Sequence, residues 1–202
     1  MNKKQGTELI TLSGLDGSGK STQLTLLKER LESSGKKVVV FHAIEFSLAN
    51  RISRFLKGSE SFEPGKEKAA ISASYSSMLL RKLFLCIDIF RFHSFLKKLQ
   101  KADIEYLLSD RYFYDTVVNI EYLGGAVPKW LLNRIPTPDQ ALYLRIVPEA
   151  ILRRDRVPEQ GLPYLQKKFA ILEQKKEAWR LKTLDASRER MVLADDIMNL
   201  LT

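Results

Sequence analysis

The 202-residue chain has a single cysteine, Cys86, and only two histidines, His42 and His93. One thiol can neither close an intrachain disulfide nor supply a multi-thiolate metal site, which fits a reducing compartment. With Leu85 and Ile87 as neighbours, Cys86 reads as a buried, inert thiol. The histidines lack any cluster with metal-ligand spacing, so neither is given a role. No stretch approaches the ~18 to 20 apolar residues needed to span a bilayer. Met1–Thr7 is polar with no apolar signal core behind it, so a cytoplasmic protein without membrane contact is expected. Acid is also in deficit: 33 Lys+Arg against 24 Asp+Glu leave a net charge of +9. The cations are scattered along the chain and not packed into one tail. They suit small phosphorylated metabolites, and no nucleic-acid partner is expected.

What is present is the material of an ordinary core, 45% apolar residues, read as one domain over 1–202. Short β-branched and apolar runs alternate with longer helical stretches, the pattern of an α/β fold with a parallel sheet covered by helices on both faces. Five strands are expected: Leu9–Ser13, Val38–Phe41, Ile104–Ser109, Ala141–Ile146 and a weaker one at Thr183–Asp185. Leu24, Leu27 and Leu31 place one apolar face on a helix that starts near Lys20 and is capped at Gly35. Gly58–Gly65 reads as a loop, followed by a helical region from Glu67 to Lys101, broken once. The aromatic stripe of Phe84, Phe90, Phe92 and Phe95 reads as packing. Pro128, Pro136 and Pro138 keep helix interiors away from the approach to the fourth strand. Arg153–Pro163, within a lid segment at about 150–165, reads as a mobile flap.

Between the first strand and the first helix lies Gly14-Leu15-Asp16-Gly17-Ser18-Gly19-Lys20-Ser21, a Gly-x4-Gly-Lys-Ser phosphate loop (P-loop) in the context its mechanism requires. Glycines 17 and 19 let successive N–H groups turn inward at the positive end of the helix dipole, forming an anion nest. Lys20 can then reach the β and γ phosphates of ATP, and the Ser21 hydroxyl can ligate Mg²⁺. Neither the fourth nor the fifth strand end carries the Asn-Lys-x-Asp motif of a guanine-binding switch, so a small-molecule kinase is the better reading. At the end of the third strand, Asp110 and Arg111 put a carboxylate and a guanidinium where open α/β sheets bind ligands. Asp110 can hold Mg²⁺ through water, and Arg111 can grip an acceptor phosphate.

With the P-loop, Asp110-Arg111-Tyr112 and the arginine-bearing flap in view, the chain resembles the thymidylate kinases nearly end to end. The resemblance implies a P-loop sandwich of three layers around a five-stranded sheet, and transfer of phosphate from MgATP to a nucleoside monophosphate, dTMP first. Gly14 to Thr22 reproduces the family's loop, Gly-x-Asp-Gly-x-Gly-Lys-Ser-Thr, and would bind ATP. Asp16 would approach the sugar 3′-hydroxyl, with Arg91, Arg111 and Tyr112 on the acceptor side. Gly17 after the acid goes, in this family, with a catalytic arginine in the lid. Of Arg153, Arg154 and Arg156, the first and last are chosen to join Lys20. Leu184-Asp185-Ala186-Ser187 would pass near adenine, and the family likeness implies a homodimer packed through helices.

The departures fall where the base would be read. Ile44-Glu45-Phe46-Ser47-Leu48 stands for Arg-Glu-Pro-Gly-Gly, Phe113–Asn119 for the stretch Ser…Ala-Tyr-Gln, Ile87 for a stacking aromatic and Leu172 for a late lid-helix tyrosine. Kinase chemistry is therefore better supported than dTMP as acceptor. The alternatives are a kinase of this fold acting on another nucleotide, a deoxynucleoside or a phosphorylated metabolite, and a protein that binds ATP for regulation without transfer. Asp115 can touch the acceptor or cap a helix.

Overall fold

The structure, a computed structural model, describes residues 6–46, 75–154 and 158–201. Five strands, β1 (Glu8–Gly14), β2 (Val38–His42), β3 (Tyr106–Asp110), β4 (Gln140–Arg145) and β5 (Lys182–Asp185), form one parallel sheet in the order β2-β3-β1-β4-β5. The fold class and strand count expected from the alternating pattern are those observed. Central strands of such sheets are covered on both faces and therefore apolar throughout. Leu9 pairs with Leu107, Ile10 with Leu108, and Leu12 with Leu142, all buried. β5 at the edge is mostly exposed, which is why its sequence signal is weak.

The helices are α1 (Lys20–Ser33), α2 (Ala43–Phe46), α3 (Tyr75–Lys101), α4 (Phe113–Tyr122), α5 (Lys129–Leu132), α6 (Pro148–Ile151), α7 (Gly161–Lys175) and α8 (Arg190–Asn199). Leu24, Leu27 and Leu31 of α1 are buried as their spacing demands, and α1 packs on the sheet and on α8. α4 lies on β1 and gathers α3 and α7 against it. Gly35 closes α1 at φ 75°, its N–H donating to the Glu32 carbonyl.

The strand boundaries shift by a residue or two from expectation. Ile104 is outside β3 because its N–H donates to the Leu99 carbonyl in the turn that ends α3, and pairing starts only after Glu105 and Tyr106 both donate to Lys37. Ile146 lies beyond β4, just ahead of α6 with Pro148 in its first turn. α3 runs unbroken over its 27 described residues; the loop at Gly58–Gly65, the helix start at Glu67 and the part of the expected region before Tyr75, where its single break can fall, lie outside the described residues. Cys86 is half-buried on α3 and not fully buried. Within the stripe on α3, Phe92 is fully buried while Phe90 faces outward.

Because the chain leaves β1 toward β2 on one side and reaches β4 on the other, the crevice at the carboxyl ends of β1 and β3 is the topological switch point. The register sets Leu12 and His42 beside Asp110, so the phosphate loop, the Asp110-Arg111 pair and the start of α2 share one edge.

Candidate active site

The loop after β1 is shaped by glycine at two places above all. A Cβ on Gly14 would stand 2.8 Å from the Leu144 carbonyl oxygen, a backbone atom that cannot give way. Gly19 caps α1 at φ 95°, left-handed backbone that a side chain disfavours, and offers no side-chain cap. The first turn of α1 holds no acid, so its N–H groups and positive dipole end face an anion site. Lys20, buried, lays its Nζ back across this loop and donates to the carbonyls of Gly14 at 2.9 Å and Leu15 at 2.8 Å. Burial pushes its pKa down, partly offset by Asp16. Ser18 is buried with a hydroxyl that has no partner among the described residues, and Leu15 turns into the core. Ser21 and Thr22 begin α1 at the surface.

Ser21 Oγ donates to Asp110 Oδ2 at 2.8 Å, while the buried Oδ1 of Asp110 has no hydrogen-bond partner among the described residues. A hydroxyl and a carboxylate with a vacant lone pair fit Mg²⁺, which takes one or two protein oxygens and fills its octahedron with phosphate and water. Among the described residues no group of three or more His, Cys, Asp or Glu gathers into a cage for a metal. His42 Nδ1 lies 3.9 Å from Asp110 Oδ2, and His93 Nδ1 lies 2.8 Å from the Ile89 carbonyl.

Arg111 follows β3 at φ 56°, a left-handed conformation that costs a side chain on the order of 1 kcal/mol and concentrates at functional sites. Its Nη2 donates to Asp16 Oδ1 at 2.8 Å. Asp16 Oδ2 accepts from the Tyr164 hydroxyl at 2.7 Å and lies 3.5 Å from Lys168 Nζ, which itself donates to that hydroxyl. Burial pushes the Asp16 carboxyl up, but Lys168, Lys20, Arg111 and the Tyr164 hydroxyl together hold it well below the usual carboxylate range. Asp115 accepts from Ser13 Oγ at 3.0 Å, and burial pushes its pKa up. It occupies the first turn of α4 without capping it.

Of the other expected residues, one is placed differently. Tyr112 is a correction: it is fully buried, its hydroxyl donates to the Pro136 carbonyl at 2.6 Å, and its ring meets Phe92 and Phe113, so it belongs to the core. Arg91 is fastened to the Phe46 carbonyl and to Asp88 Oδ1 at 2.8 and 2.7 Å, with its guanidinium 4.3 Å from the Phe46 ring; none of these bonds reaches Arg111 or the phosphate loop. Arg153 is exposed, and Arg156 lies outside the described residues. It is Arg154 that reaches the loop, Nη1 donating to the Gly17 carbonyl at 2.7 Å and Nη2 to Ala186. Sequence reasoning missed Tyr164 and Lys168. Their spacing of four puts them on one helical face, yet nothing local ties that face to Asp16, 148 residues earlier.

Carboxylates, several cations and an anion nest at one switch point suit the binding of two phosphorylated groups. A sequence profile described as thymidylate kinase matches residues 12–197. A thymidylate kinase of Rhodopirellula baltica is 30% identical over 195 residues, covering 89% of this chain and 74% of that protein. A probable thymidylate kinase of Methanosphaera stadtmanae is 28% identical over 198 residues, 94% and 95% of the two chains. Probable thymidylate kinase 1 of Saccharolobus solfataricus is 28% identical over 152 residues, 73% and 69%. With its phosphate loop, sheet order and a match over most of its length, the chain belongs to the thymidylate kinase family of phosphotransferases.

Proposed function

We propose that this protein transfers the γ-phosphoryl group of ATP to a nucleoside monophosphate, with dTMP as acceptor and dTDP and ADP as products. The observation that carries this reading is the joint placement of Lys20, Ser21, Asp110 and Arg111 around one crevice. The nest from Gly14 to Thr22 takes the donor phosphates, and Lys20 exchanges its two loop carbonyls for phosphate oxygens. Ser21 and Asp110 would hold Mg²⁺, which when bound neutralises charge on the β and γ phosphates. Arg111 leaves Asp16 to grip the acceptor phosphate as a bidentate fork. An acceptor phosphate oxygen attacks the γ-phosphorus as its bond to the bridging oxygen of ADP breaks, and no proton need be taken from the attacking dianion. Among the described residues Arg154, already against Gly17, is the lid cation placed to meet the charge that spreads over the equatorial oxygens. A second copy packed on α3 and a cytoplasmic setting complete the reading.

ADP release from MgATP tests it across dTMP, dUMP, UMP, CMP, AMP, GMP and thymidine, with Lys20→Ala as the blank. Turnover confined to dTMP and dUMP is expected, with Lys20→Ala losing at least about 10²-fold in kcat. Turnover with another member of the panel would favour a kinase of the same fold with a different acceptor, which the altered residues Phe46, Ile87 and Leu172 motivate. ATP binding with silence across the panel would favour a non-transferring regulatory protein.

A further inference from the structure

We propose that Lys168 and Tyr164 are positioning residues for acceptor binding: they hold the Asp16 carboxylate ionised and in place when Arg111 leaves it for the acceptor phosphate. The proposal rests on the acceptor reading above and adds two residues to it. Asp16 presents its two oxygens to different elements. Oδ1 meets Arg111 from the end of β3 at 2.8 Å, and Oδ2 meets Tyr164 and Lys168 from α7 at 2.7 and 3.5 Å. A simple ion pair closing the crevice would be complete with Arg111 alone. The second cation is the informative feature, because Lys168 is buried at 10% side-chain exposure, an expensive place for a charge that only duplicates a partner.

The duplication becomes useful when Arg111 is taken. A phosphomonoester dianion draws the guanidinium to itself. Asp16, now missing one cation, would otherwise be drawn toward protonation or swing away. With Oδ2 still pinned through the Tyr164 hydroxyl, Oδ1 becomes a fixed, charged acceptor for a sugar hydroxyl. The support is firm. Tyr164 packs edge-on against Tyr122 of α4 at 5.0 Å, Lys175 pairs with Glu121 at 2.8 Å, and Trp179 stacks on Tyr114 at 4.4 Å. The groups that act on Asp16 are Lys20 of α1, Arg111 after β3, and the Lys168 ammonium and Tyr164 hydroxyl of α7.

The test compares wild type, Lys168→Met, Lys168→Arg and Tyr164→Phe with MgATP and either dTMP or its 3′-deoxy analogue, from pH 4.5 to 8. Wild type is expected to prefer dTMP by about tenfold or more in kcat/KM, the scale of one charge-assisted hydrogen bond. In Lys168→Met that preference should shrink to within about threefold. The acid limb of its kcat/KM profile should also lie higher than that of wild type, whose limb is set by the acceptor phosphate at about pH 6, and Lys168→Arg should restore both. Tyr164→Phe should lose part of the preference. An unchanged ratio and unchanged acid limb in a folded Lys168→Met, checked by circular dichroism, would overturn the proposal. Wild type inactive on dTMP would overturn the acceptor reading itself, and the proposal with it.

Discussion

Arg153 and Arg154 share a charge and differ in direction. At the end of α6 the chain turns so that Arg154 bridges the Gly17 and Ala186 carbonyls, while Arg153 stays in solvent. An arginine aimed at a developing phosphate charge contributes about 10³ or more in rate. Arg154→Ala should therefore lose about that factor in kcat, and Arg153→Ala should stay within about threefold in the same steady-state assay. Asp16 carries a pH prediction. Its folded pKa lies below the ordinary value of about 3.9, so the stability it contributes is present above that value and lost as pH falls through the folded one. The gap between wild type and Asp16→Asn in urea midpoint should be full at pH 6 and should narrow steadily below about pH 4. Of these residues, Lys20 and Ser21 were legible in sequence because a loop of eight neighbours does their work. Arg154 was not, because adjacent arginines are equivalent until a turn orients them.

Among the elements, α3 shows how far periodicity reaches. An aromatic stripe at helical spacing announces packing, and Phe92 obliges, meeting Phe41, Phe113 and Tyr112 at 4.7, 5.3 and 5.8 Å between ring centroids. Phe92→Ala should cost about 3–5 kcal/mol, measured as a lowered urea midpoint at constant slope. The same stripe misled at Phe90, which the helix turns outward. The one-turn helices α5 and α6 escape sequence reading, since four residues span too little of a 3.6-residue period to form a face. Tyr112 was misassigned for a related reason: it follows two site residues in the chain, but the first turn of α4 sends its side chain inward to Pro136.

For the whole molecule, the described part of α3 leaves Leu79, Leu83 and Phe90 more than half exposed along one side of a 27-residue helix. A contiguous apolar helix face is the kind of surface a partner buries. If a second copy of this chain covers it, sedimentation should give twice 23.2 kDa, and Leu83→Glu should halve that mass without unfolding the chain. Retention of the larger mass would place the interface elsewhere.

By itself the sequence determined the alternating α/β order, the anion nest and its lysine, and the Asp-Arg pair at the end of a buried strand, because each depends on chain neighbours within one loop or one strand. Tertiary structure decided that Arg154 and not Arg153 reaches the phosphate loop, that Tyr112 is core, and that Arg111 and Tyr164, 95 and 148 residues from Asp16 in the chain, meet on its two oxygens. Such a meeting depends on sheet order and on how α7 is docked against α4, and no local pattern encodes either.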